Sequence, residues 1–279
     1  MPRSNSPTCL LAAGLLAGLG AAANAEGAAT QPADLSSKLA GWVAVNTDFV
    51  PVKGSPAPVA SDPAHPYISN AAARRAGGQP TYRIADVANP NLKPGAAAAL
   101  KRENDRILAG GMAYTARQSC KPAGIPAFML FPVVEPMYFI QTPKQVTMVF
   151  SGDAQTRRIY LDVPHSANPK PSWYGESVGR YEGDTLVVDT IGLNNKTYLD
   201  NYRTPHSEKL HVVERWKLLD PMTLQLVLTV DDPDTFNAPW TATQNFRRIE
   251  RPQDDEEVCA ENNQHLFDYG IPVANKPDF

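Results

Sequence analysis

From Phe128 onward, apolar and polar residues alternate with period two, which is the signature of strands with one buried face. Met137 to Gln141, Gln145 to Phe150 and Arg157 to Asp162 read as three strands, separated by Thr142-Pro143 and Ser151-Gly152-Asp153. Glu176 to Tyr181 and Thr185 to Ile191 flank the tight turn Glu182-Gly183-Asp184 and form a hairpin. A second hairpin joins Leu210–Leu218 to Thr223–Val230 through Asp220-Pro221-Met222, and Trp240 to Ile249 ends the series. About eight antiparallel strands on short turns cover their edges most completely by curling up. The expected fold is therefore mainly β, a meander closing into a lipocalin-like barrel over residues 112–251, with a β-sandwich as the alternative.

Upstream the pattern differs. Pro94 opens an Ala-rich stretch, Gly95 to Leu108, that ends at Gly110-Gly111 and predicts a helix within residues 94–111. Residues 26–93 are rich in Ala, Pro, Gly and Ser and predict an extended arm over the main domain. Gly41 to Val45, Tyr82 to Ile84 and a short helix from Ala71 to Arg75 are its patterned pieces. The first 25 residues combine Arg3, an apolar run from Leu10 to Ala23 and an Ala23-Asn24-Ala25 cleavage pattern. They read as an export signal, which implies a periplasmic or secreted protein. The run is too short for a folded membrane anchor, so no stable membrane insertion is expected.

Composition narrows the partners. Twenty-six Lys and Arg against 29 Asp and Glu give a net charge of −3 with no basic run, so nucleic acid is not an expected partner. Beyond the signal the cysteines are Cys120 and Cys259, an even pair that an oxidising compartment would join as a disulfide, tying the tail 252–279 to the domain. Nothing in the sequence sets the oligomeric state.

The candidate chemistry lies in charges set among apolar strand residues. Alternation places Asp189 with Val187 and Ile191, and Glu214 with Val212 and Trp216, which predicts that both carboxylates enter an interior or cavity. His206 on the long polar loop before that strand and His211 within it complete a candidate acid–base set, with Tyr198 and Tyr202 as phenolic donors. Trp173, Tyr174, Arg158 and Trp216 are the candidates for ligand contact, and Arg158 or Arg180 the candidate ion partner of Glu214. His206, His211 and Glu214 are metal-ligand types, but their spacing matches no zinc motif and strand parity separates His211 from Glu214. No metal and no cofactor are expected. G-x-S-x-G, Walker and dinucleotide fingerprints are absent from the sequence.

Gly179 to Thr190, with its Arg-Tyr-Glu-Gly-Asp-Thr-Leu-Val-Val-Asp core, and Pro205 to Arg215, reading Pro-His-Ser-Glu-Lys-Leu-His-Val-Val-Glu-Arg, resemble the motifs of a family of exported bacterial proteins of unassigned function. Arg157 to Asp162 and Trp173-Tyr174-Gly175 resemble it too, and Tyr181 stands where that pattern carries tryptophan. The resemblance covers Cys120 to Ile249. It implies a shared domain and draws attention to Asp189, His206, His211 and Glu214 without naming a reaction. Two functions are expected from the residues: a cofactor-independent lyase or isomerase acting on a small, partly hydrophobic molecule in the barrel, or a lipocalin-like carrier of such a molecule. A structural or envelope-interaction domain is the third.

Overall fold

A computed structural model of the protein describes residues 33–36, 40–131, 136–152 and 155–250. The N-terminal segment expected to be an export signal, the tail 252–279 and Cys259 lie outside the described residues. The elements run β1 (Ala40–Ala44), β2 (Val50–Pro51), α1 (Asn70–Ala76), α2 (Pro94–Leu108), β3 (Met137–Thr142), β4 (Gln145–Phe150), β5 (Gln155–Leu161), β6 (Glu176–Glu182), β7 (Thr185–Ile191), β8 (His211–Asp220), β9 (Thr223–Asp231) and β10 (Trp240–Glu250).

Strands β3 to β10 pair in chain order, and β1 closes the ring by pairing with both β10 and β3. The result is a barrel of nine strands, with β2 added on the β10 edge beyond β1. Closure removes the exposed edges that an open sheet would present. The eight strands expected from alternation all form. The ninth comes from the arm: Trp42 pairs with Arg248 on one side and Met137 on the other, and its fully buried indole donates from Nε1 to the carbonyl of Leu35 at 2.9 Å. The arm is thus partly a wall of the barrel and not only its cover. The expected all-antiparallel meander also needs correction. β5 and β6 pair in parallel, Tyr160 with Val178 and Leu161 with Gly179, because the 162–175 connection crosses back instead of turning as a hairpin.

Inward positions follow the alternation: Val146, Met148 and Phe150; Ile159; Leu186 and Val188; Leu224 to Val230 at every second residue; Ala242 and Phe246, all fully buried. Phe139 on β3 and Trp216 on β8 stand on opposite walls of the ring, yet their ring centroids are 5.4 Å apart, and Trp216 meets Phe246 at 5.4 Å. Such edge and tilted contacts fill the barrel at this level.

The arm is pinned to α2. Asn104, buried on that helix, accepts from the Ala85 amide at 3.0 Å and donates to the Ala85 carbonyl at 2.8 Å. This side chain pairs the edge of Ala85 that faces away from its antiparallel bridge to Ser61. No helix among the described residues is long and apolar enough to cross a membrane.

Candidate functional site

Glu214 enters the barrel as expected, but its partner is Arg157. The guanidinium donates to Oε1 at 2.8 Å and to Oε2 at 2.9 Å, and both side chains are fully buried. Ser177 Oγ and Thr190 Oγ1 accept from the same guanidinium at 3.0 and 2.8 Å, and Trp216 Nε1 donates to Glu214 Oε2 at 2.9 Å. Every group is matched, which is the condition for a tolerable buried ion pair. Strand parity excludes the partners expected from sequence: Arg158 and Arg180 face outward and are exposed. Glu214 is a sealed structural acceptor, and Trp216 is core.

His206 does not meet a carboxylate. Its Nδ1 lies 3.0 Å from the Ser207 carbonyl and its Nε2 2.9 Å from Thr197 Oγ1, so a neutral ring donating from Nδ1 and accepting at Nε2 satisfies both. Burial holds it below the ordinary imidazole value. Around it the 193–210 loop is tied by two buried aspartates. Asp232 accepts from the Ser207 amide at 2.6 Å and hydroxyl at 2.7 Å. Asp200 accepts from the amides of Tyr202 and Thr204 and from the Thr204 hydroxyl, and burial pushes its carboxyl up to about 6. Tyr202 is buried and donates to Asp48 Oδ2 at 3.1 Å. Tyr198 is half-buried, its hydroxyl raised by that burial. These residues shape the loop; they do not converge on a common reacting point.

Asp189 is corrected outright. It pairs with Val178 and Val213 on the outer face, so it does not accompany Glu214 inward. There it joins His211, whose Nε2 lies 2.9 Å from Asp189 Oδ1. The same oxygen lies 2.9 Å from Nε2 of His165, whose Nδ1 is 3.0 Å from Glu176 Oε1. Glu176 accepts from the amide and hydroxyl of Ser166, and the hydroxyl bond chiefly lowers its pKa. His165 and Glu176 were not among the sequence candidates. A signal existed: Pro164-His165-Ser166 repeats the Pro205-His206-Ser207 triplet. Of the ligand-contact candidates, Trp173 and Tyr174 are half-buried. The Tyr174 ring packs edge-on against Phe128 at 5.6 Å and its hydroxyl bonds Gln155 Oε1.

A groove of about 490 Å³ lies between the arm and the C-terminal end of α2, walled by Pro66, Ile68, Pro80, Ile84, Ile107 and Leu108, with His65, Thr81 and Tyr82 supplying polar atoms. Its frame is fixed: the Thr81 hydroxyl donates to the Pro66 carbonyl at 3.0 Å and accepts from the Ile68 amide at 2.7 Å. Arg83 stacks on Tyr67 at 3.8 Å behind it. Ile68, Tyr82 and Leu108 are among the exposed large apolar side chains of the molecule, and all three border this groove. The short apolar pieces between prolines that wall the groove carry no periodic signal in the sequence. Comparison with protein-family models, curated proteins and solved structures gave no match to this chain.

Proposed function

We propose that the chain is an exported binding protein for a small, partly hydrophobic molecule, held in the groove between the arm and α2. The carrying observation is that Ile68, Tyr82 and Leu108 expose apolar surface around one groove of ligand size. Sites for small molecules have this character, a largely apolar lining with few polar groups to fix orientation. His65 at one end, braced through Nδ1 by Asp62 at 2.9 Å, and the Tyr82 hydroxyl would serve a single polar function on the ligand.

This reading keeps the carrier expected from sequence and moves its site from the barrel interior to the barrel's exterior. It is favoured over the acid–base enzyme because His206, Asp189 and Glu214 fall in three separate environments. Export rests on the N-terminal pattern, and the Cys120–Cys259 bridge belongs to the same proposal, since disulfides persist where exported proteins reside.

Titration with the neutral fluorescent probe N-phenyl-1-naphthylamine tests the reading. The expected result is saturable binding to the wild type, weakened at least about tenfold in Leu108→Glu, where a charge would replace apolar contact with the ligand. Equal binding by wild type and Leu108→Glu, or no saturable binding by either, overturns it.

A further inference from the structure

The groove between the arm and α2 has one built polar end, and its construction begins at Asp62. The Asp62 amide donates to the Ile84 carbonyl at 2.8 Å, beside the bridge between Ser61 and Ala85. The side chain is then fixed twice: Oδ1 accepts from the Ala64 amide at 2.9 Å, and Oδ2 lies 2.9 Å from Nδ1 of His65. These bonds, the one to His65 first, hold the carboxyl below its ordinary range. A carboxylate has no proton to give, so Nδ1 carries the hydrogen of this pair.

A neutral ring has only that one N–H, which leaves Nε2 as a lone-pair acceptor. His65 lines the groove with 44% of its side chain exposed, and its Nε2 has no partner among the described residues. Elsewhere in the lining the Thr81 hydroxyl is spent on Pro66 and Ile68. The Tyr82 hydroxyl has no partner among the described residues. The open side-chain atoms are thus a fixed acceptor and a rotatable hydroxyl that can donate or accept. A ligand hydroxyl matches both, donating to the first and accepting from the second. An ether or ketone offers no proton to Nε2, and a carboxylate would bring a second negative charge toward Asp62.

We propose, resting on the binding role given above, that the groove takes an apolar molecule bearing one hydroxyl, which donates its proton to Nε2 of His65. Asp62 is the positioning residue: it does not touch the ligand but decides whether Nε2 accepts or donates. In Asp62→Asn the Ala64 amide keeps the side-chain oxygen in the place of Oδ1, so the side-chain nitrogen faces Nδ1 and donates to it. The ring hydrogen then moves to Nε2. A groove so changed no longer needs a ligand proton and accommodates a carboxylate.

Full-length protein loaded with N-phenyl-1-naphthylamine is challenged with 2-naphthol, 2-methoxynaphthalene and 2-naphthoate at about pH 8, above the range in which imidazoles ordinarily take up a proton. In the wild type 2-naphthol is expected to displace the probe at about three- to tenfold lower concentration than 2-methoxynaphthalene, the difference that one neutral hydrogen bond makes. The 2-naphthoate anion is expected to be the weakest of the three. His65→Phe still binds the probe and loses the preference for 2-naphthol. Asp62→Asn loses it too, and there 2-naphthoate strengthens about tenfold, which a merely structural role for Asp62 would not produce. Equal displacement by 2-naphthol and 2-methoxynaphthalene in wild type that binds the probe overturns the hydroxyl assignment and leaves the binding role standing. A preference that survives in both variants also overturns it. Failure of the wild type to bind the probe removes the binding role and the assignment together.

Discussion

At the scale of single residues, burial decides which charged groups are structural. Arg157 and Glu214 satisfy each other inside the barrel. Removing one partner leaves an unpaired buried charge, so Arg157→Met or Glu214→Gln alone is expected to cost about 3–5 kcal/mol in urea unfolding. The double variant Arg157→Met/Glu214→Gln should cost less than the two single changes together, because no charge is stranded. A double variant as unstable as the sum of the singles would contradict this account. Two titrating groups on the 193–210 loop oppose each other. Asp200 has a folded value near 6, above its ordinary 3.8. Its contribution is therefore fully present below pH 3.8 and lost as pH rises toward 6. His206 is lowered by burial, so its contribution is present above the ordinary imidazole range and lost on acidification. Unfolding free energies of wild type and Asp200→Asn, measured from pH 4 to 7, should diverge with the wild type gaining relative stability toward pH 4. Parallel curves would remove Asp200 from the account.

At the scale of elements, much of the barrel was legible and the site was not. The eight strands from β3 to β10 and helices α1 and α2 follow from alternation, the Ala-rich run and the turn residues, because those signals are local. β1 was visible only as Gly41 to Val45, since its partners Glu250 and Met137 are remote in sequence. Parity correctly set His211 and Glu214 on opposite faces. It could not say which face was inside for β7, where residues 185–188 are all buried, and Asp189 was misplaced for that reason. The groove was illegible because its walls come from three segments joined by side-chain bonds to backbone. The Asn104 contact to Ala85 is the most consequential of these. Asn104→Ala is expected to leave two backbone groups unpaired, to cost about 1–3 kcal/mol and to speed amide exchange at residues 81–86 ahead of the barrel strands. Unchanged exchange there would show that the arm is held by other means.

At the scale of the whole molecule, the arm both completes the barrel and builds the groove outside it. Deleting residues 26–48 removes β1 and exposes the edges of β3 and β10 together. The truncated protein is expected to self-associate on size-exclusion chromatography, as unpaired edges do. A monomer with wild-type stability would mean that β1 is dispensable. Trp216 packs against Phe139 and Phe246 in the middle of the barrel, and the groove proposed for the ligand lies outside it. Amide hydrogen exchange with and without saturating N-phenyl-1-naphthylamine tests that claim most directly. The account predicts new protection at residues 65–68, 80–84 and 107–108 and none along β8 to β10. Protection confined to the barrel strands would place the ligand inside and contradict it.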